Sequence, residues 1–480
     1  MSVAPLLAPL VRRIAHPGDA FALFRALAGQ GREAVFLDSV LADPRLGRWS
    51  FLCVDPFLVF SSKGGRTVLD WRTRREVAEG NPFALLGDLM ARFRVRRAAG
   101  APPFLGGAAG YFAYDLCHFV ERLPRTAVDD VPVPDCWLGF YDVVIGVNHL
   151  DGTAYVASTG LPASGAEGRR RAESRLDEFL SRIAGASQAA PVADAASSRR
   201  PVASNFTRQA YLEAVARAKE YIAAGDIFQV NLSQRLQVPL AEPPLDFYAR
   251  LRRVNPAPFA GYFDLGSCAV ASASPERFLQ IRGRRVETRP IKGTRPRGAT
   301  AEEDAALARQ LTQSIKDRAE NVMIVDLERN DLGKVCAYGT VRVTELCALE
   351  RYATVFHLTS TVEGMLHDRY RAVDCLRACF PGGSITGAPK VRSMEIIDEL
   401  EPTCRGVYTG AIGYLCFSGD MDLNIVIRTV VIKDGVAYFQ VGGGIVADSD
   451  PEAEYQETLD KAAALITAAT GRRDAAVAEG

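Results

Sequence analysis

Lys292, in the run Pro290-Ile291-Lys292-Gly293-Thr294, is framed as a nucleophile or a base. The residues before it, Arg284 to Arg289, predict a short strand that Gly293 ends, and Arg295-Pro296-Arg297-Gly298 predicts a turn. A lysine at a strand end can be aimed, and attack through its amine needs the neutral form, which burial and nearby cations supply. Two helices carry carboxylates at spacings that share a face. The first, predicted over about 301–332, holds Lys316, Asp317 and Glu320; the second begins near Asp450-Pro451 and holds Glu454, Glu457 and Lys461. Carboxylates from both helices, with waters and a substrate carboxylate, make the oxygen ligand set that magnesium takes.

Two glycine-rich segments offer anion sites. Pro381 to Lys390 contains Ser384, Thr386 and Gly387 and leads into a helix, and Gly442-Gly443-Gly444 follows a strand. Neither has the spacing of a nucleotide-binding P-loop. Glu276, after Ser274-Pro275, has the setting of a general acid or an ion-pair member, and His357 sits between Val355 and Leu358. Tyr408 is a further polar candidate. Arg428 lies within the apolar strand predicted over 424–433, where a cation must meet a buried anion, either a protein carboxylate or a substrate.

These side chains need a large scaffold. At 480 residues the chain exceeds one ordinary core. The stretch 184–203, rich in Ala, Ser and Pro, predicts a linker between regions 1–183 and 204–480. Beyond it, Thr207 to Ala224 predicts an amphipathic helix, and strands are predicted over 228–236, 260–265, 268–272, 407–417, 424–433 and 436–441. Lys433-Asp434-Gly435 reads as a hairpin turn. Strands and helices fall in blocks, so the expected class is α+β with large antiparallel sheets. Equal numbers of basic and acidic residues, 57 each, give no field that would draw nucleic acid or an anionic membrane. Arg12-Arg13 follows the apolar opening instead of preceding it, and no stretch is long enough to span a bilayer. The ten cysteines show no paired metal spacing, as expected of reduced thiols in a cytoplasmic protein.

SASPERF, PIKGT, DRAENVMIVDLERND, HLTS, PGGSITGAPK, YTGAIGY, IRT and GGGIVADSDPEAEYQET occur in this order, followed by Lys461. From Phe206 to about Thr470 the chain thereby resembles the chorismate-utilising enzymes. The resemblance implies two antiparallel sheets packed as a sandwich with helices outside. It also implies magnesium on Glu320 and Glu457, with Glu454 and Asp317 as further carboxylates around it. Chorismate would lie with Gly293 and Thr294 near its ring, His357 beside it, and Ser384, Thr386, Gly387 and Lys461 around the site. Tyr408, Arg428 and the amides of Gly442, Gly443 and Gly444 would hold the enolpyruvyl carboxylate.

The anthranilate-forming members look like PIAGT, so Lys292 implies the branch that aminates carbon 4, with Lys292 as nucleophile and Glu276 as acid and base. None of the ten cysteines lies in the elbow of a glutaminase, so the ammonia is expected from a separate glutamine amidotransferase subunit. The N-terminal region resembles, more loosely, that of the aminating members. Ser39, Arg48, Trp49, Ser50, Pro258, Phe259 and Ala260 match their tryptophan pocket. Ala260 stands where the inhibited members carry a larger side chain, and Asp38 where they carry glutamate, so tryptophan is expected to bind without necessarily inhibiting.

Overall fold

The computed structural model describes residues 6–29, 33–97, 100–186, 201–352, 355–472 and 477–478. Two sheets dominate these residues, one of 13 strands and one of 12. Pairing is antiparallel throughout the named strands except where Val202–Ser204 meets Val477–Ala478. Val35–Asp38 pairs with Phe259–Asp264 in the first sheet, and Gly107–Phe112 pairs with Ala411–Cys416 in the second. The regions 1–183 and 204–480 therefore share both sheets, and most of the predicted linker, 187–200, lies outside the described residues.

Between the sheets, Val35 and Phe51 of the first meet Tyr111, Trp137 and Tyr414 of the second in one buried cluster. Val143–Asn148 is buried at every position, because the outer face of its sheet is covered by the Gly165–Ala184 helix through Leu176 and Phe179. Each such aromatic or aliphatic side chain contributes about 1.5–3 kcal/mol on burial, which is how strands this apolar are held in register. The outcome is the expected α+β class, two antiparallel sheets with helices around them.

Three local departures from the sequence reading bear on function. The helix predicted over 301–332 is two helices, Ala301–Gln313 and Ile315–Gly333, because Ser314 leaves helical geometry and caps the second one, accepting from the Asp317 amide. Gly293 does not end a strand at Lys292. Ile291–Pro296 pairs with Val355–Met365, and the register slips between Ile291 and Thr294, where Gly293 takes φ +92°. Such an irregularity re-aims the side chain it carries, here Lys292. The strand predicted over 424–433 is broken into Met421–Ile425 and Thr429–Lys433, with Arg428 in the gap at φ +51°. The hairpin turn at Asp434-Gly435 is as predicted, both residues having positive φ.

Candidate active site

A cavity of about 450 Å³ opens where the Lys292 irregularity, the Arg428 break and the two carboxylate helices meet. Its wall includes Glu276, Lys292, Gly293, Thr294, His357, Ser384, Tyr408, Arg428, Gly442, Gly444, Lys461 and the carboxylates Asp317, Glu320, Glu454 and Glu457. Residues from all eight of the motifs read in the sequence, with Lys461, are thus brought together.

Burial lowers the Lys292 pKa and outweighs the pull of Glu320 and Glu276, while Lys461 adds a smaller repulsion. The neutral amine that nucleophilic attack requires is favoured chiefly by enclosure, more than by neighbouring cations. Glu276 is buried at the end of the Ala269–Ser274 strand. Enclosure raises its pKa against the Ser384 hydroxyl, the Lys292 charge and the Ile291 amide, which donates to Oε1 at 3.4 Å. A carboxyl raised in this way keeps its proton nearer neutral pH and can give it to a leaving group.

His357 Nδ1 lies 2.8 Å from Thr294 Oγ1. Burial, with Arg428 adding, lowers the imidazole to about 4, so it is neutral at physiological pH. Arg428 reaches Asn255 Oδ1 at 3.3 Å, and burial is the sole cause lowering its pKa. Among the described residues no protein carboxylate pairs with it. Tyr408 is buried, and enclosure raises its phenol well above the ordinary value, keeping the O–H a donor.

Asp450 caps the Pro451–Thr470 helix through the Ala453 amide at 2.9 Å, with Pro451 at the first position as read from sequence. This fixes Glu454, held by the Ser449 hydroxyl at 2.6 Å, and Glu457, paired with Lys461 at 2.7 Å. Burial raises Glu454 and Glu320, and the negative charge of Glu457 raises each further. Burial would raise Glu457 too, but Lys461, Lys316 and Lys292 bring it net below the ordinary value. Among the described residues no three carboxylate, imidazole or thiol groups close into a ready-made metal cluster. The donors nonetheless fit magnesium in kind: carboxylate oxygens on two helices, Glu454 buried, Glu320 half-buried and Glu457 exposed, with open sides for water and an acidic ligand.

Gly443 faces these helices, and a Cβ there would come within 3.0 Å of Glu454 Oε2. Lys461 is occupied by Glu457 and by the Gly442 carbonyl at 2.8 Å, so its amine is committed to the wall. Asp317 is taken by Arg295 at 3.0 Å. Thr386 and Gly387 are not on the wall. Thr386 Oγ1 donates to the Gly382 carbonyl, and Gly387 pairs with Val230, so both shape the turn that presents Ser384.

Sequence reasoning passed over Asn231 and Gln440, which also line the cavity. The signal lay in the strand Gln229–Pro239, where Gln229, Asn231, Ser233 and Arg235 recur at every second position of a buried strand.

A second cavity, about 330 Å³, lies between the sheets and is lined by Ser39, Arg48, Trp49, Pro258, Phe259 and Ala260 as expected. Ser50 does not line it; its hydroxyl is spent on the Ser39 amide and on His149.

The model of the chorismate binding enzyme family matches residues 38–467. The chain belongs to that family. Anthranilate synthase component 1 of Thermus thermophilus is 48% identical over 368 residues, 76% of this chain and 78% of its own. Aminodeoxychorismate synthase component 1 of Bacillus subtilis is 40% identical over 459 residues, 95% of this chain and 96% of its own. The crystal structure of anthranilate synthase component I from Streptococcus pneumoniae superposes with a TM-score of 0.78 at 33% identity, covering 94% of this chain and 98% of that one. The chain is therefore an enzyme of the family that acts on chorismate. No helix among the described residues is long and apolar enough to cross a membrane.

Proposed function

We propose that the chain is an aminodeoxychorismate synthase component 1, which aminates carbon 4 of chorismate and keeps the enolpyruvyl group. The observation that carries this reading is Lys292, an enclosed amine with a lowered pKa on the same wall as the proton-retaining Glu276. The anthranilate-forming members look like PIAGT at this place. An alanine there leaves carbon 2 open to ammonia, whereas a lysine occupies it.

In the proposed sequence the neutral Lys292 amine adds to carbon 2, the ring double bonds shift, and the carbon-4 hydroxyl leaves as water with the Glu276 proton. Ammonia then adds at carbon 4, the double bonds shift back, and the carbon 2–nitrogen bond breaks to return the Lys292 amine. Glu276 takes the surplus proton from the new amine, so acid and base are one residue used twice. Arg428, the Tyr408 hydroxyl and the Gly442 and Gly444 backbone hold the enolpyruvyl carboxylate, and neutral His357, fixed by Thr294, packs beside the ring. Glu320 and Glu457, with Glu454 and Asp317 near them, would hold magnesium, which when bound neutralises the ring carboxylate and draws electron density from the ring.

The nitrogen is supplied by a separate glutamine amidotransferase subunit, and tryptophan occupies the cavity between the sheets. Anthranilate synthase component 1 is the second reading, favoured by the name of the 48% identical relative. Chorismate, magnesium and ammonium chloride with the purified chain decide between them. The expected product retains the enolpyruvyl group and carries an amine at carbon 4. Release of pyruvate with fluorescent anthranilate would overturn the proposal.

A further inference from the structure

Three charged side chains are directed at the main chain of one short turn, 381–385. Lys390 Nζ donates to the Pro381 carbonyl at 2.7 Å, Glu328 Oε1 accepts from the Gly383 amide at 3.1 Å, and Arg405 Nη1 donates to the Ile385 carbonyl at 3.0 Å. Glu328 and Arg405 are buried and Lys390 is half-buried. They come from separate places: the Lys390–Leu400 helix, the Ile315–Gly333 helix and the segment before the Ala411–Cys416 strand. Lys390 is tied in turn to Asp331, and Arg405 to Glu401. A buried polar network whose members are all satisfied makes the backbone it holds rigid. The residue at the centre of this brace is Ser384.

Ser384 lines the reaction cavity, and its hydroxyl donates to the Glu276 carboxyl. The main chain of Glu276 is fixed on its own account, the carbonyl accepting from the Ile425 amide at 3.0 Å. Its carboxyl has little else to orient it. The Ile291 amide reaches Oε1 only at 3.4 Å, and among the described residues no cation forms a salt bridge with it. The direction in which this carboxyl points therefore depends on Ser384, and the position of Ser384 depends on the three charges.

We infer that Ser384 is a positioning residue for the acid–base step, holding the Glu276 carboxyl in the one orientation that both proton transfers use. The role rests on the reading above of Glu276 as acid and then base at carbon 4. A group that gives a proton and later takes one at the same atom gains from being held still, because misalignment would weaken both transfers. Ser384 acts through Glu276, not on the substrate, and loses no proton itself.

The test compares the wild-type chain, Ser384→Ala and Ser384→Thr with ammonium chloride as nitrogen source. Ser384→Ala is expected to lower kcat roughly 10- to 100-fold, the size of one hydrogen bond to a charged group, with KM for chorismate within about twofold of wild type and the melting temperature unchanged. Its alkaline limb should move to higher pH, because the lost donor favoured the ionised carboxyl. Lys292 and Glu328, the charged groups facing Glu276 from the neighbouring strand and helix, stay in place in this variant. Ser384→Thr keeps the hydroxyl and should restore both kcat and the limb. An unchanged kcat and pH profile in Ser384→Ala, or a loss carried by KM for chorismate, overturns the inference while leaving the amination reading intact. A wild-type product other than the carbon-4 amine overturns the amination reading, and the same comparison on that product still decides the role of Ser384.

Discussion

The two cavities are built from consecutive residues yet hold charge in opposite ways. Glu276 faces the reaction cavity, and its neighbour Arg277 lines the cavity between the sheets. Arg277 is matched by Asp422 at 3.1 Å and Glu287 at 3.0 Å, and Arg45 on the same wall is matched by Glu345 at 2.9 Å. In the reaction cavity Arg428 meets only an amide oxygen, and Lys292, Glu276 and Glu320 are all displaced toward their neutral forms by burial. A wall whose charges are satisfied in the empty protein is organised for stability and for a ligand that brings little charge. The wall of the reaction cavity pairs Lys461 with Glu457 and Arg295 with Asp317, but among the described residues Arg428, Lys292, Glu276 and Glu320 have no salt bridge, and these are the groups a dianionic substrate would engage.

Substitution of the neighbours should separate these roles. Glu276→Gln is expected to lower kcat by roughly 10²–10⁴-fold, the usual worth of a general acid and base, with melting temperature unchanged or raised. Because its pKa is raised, wild-type activity that depends on the protonated form falls as pH rises through that value. The variant should lose this alkaline limb. Arg277→Met is expected to cost about 3 kcal/mol in a denaturant titration, since it takes the cation from Glu287 and leaves Asp422 only Gln280 and the more distant Arg282.

Arg428→Met sharpens the contrast. It should raise KM for chorismate on the order of 10²-fold, because one partner of a desolvated charge pair is worth about 2–5 kcal/mol. Thermal stability of the unliganded chain should hold or improve. A loss of stability like that of Arg277→Met would erase the distinction between the cavities.

Much of this was written in the sequence at the level of residue type and spacing. Lys292, Glu276 and the carboxylate pairs Asp317/Glu320 and Glu454/Glu457 were legible because the chemistry needs those types, and helical periodicity alone places each pair on one face. The α+β class was legible from the blocks of strands. What was hidden depended on backbone geometry set by distant partners. The positive φ of Arg428 arises where two strands part, so a run of apolar residues read as one strand. Ser314 is the exception: its capping bond to the Asp317 amide is local, and the serine three residues before an aspartate was an N-cap signal that the reading of one continuous helix passed over. Thr386 and Gly387 carried the composition of an anion cradle, but their groups are consumed by Gly382 and Val230. The merging of both chain regions into common sheets has no local signature at all.

A smaller effect concerns the support beneath the reaction cavity. Glu328 accepts from the Gly383 amide at 3.1 Å and so steadies the turn that presents Ser384. Burial raises its pKa to about 7, with Lys390 opposing. The folded chain then binds more protons than the unfolded one between its ordinary value and about 7. Stability is therefore expected to fall as pH rises through that window, by at most roughly 3 kcal/mol for this group. Glu328→Gln should flatten that part of the stability profile, as chemical denaturation at several pH values would reveal. Least of all, saturating tryptophan is expected to change the initial amination rate by less than about twofold while raising the melting temperature, as ligand binding to the folded state does.

The reaction cavity owes its meaning to one enclosed amine. Incubation of the chain with chorismate and magnesium, without ammonia, followed by peptide mass measurement, tests it most directly. The account predicts that the peptide holding Lys292 gains the mass of chorismate less one water, and that added ammonium removes the increment. An unmodified Lys292 peptide in a chain that still aminates chorismate at carbon 4 would contradict it.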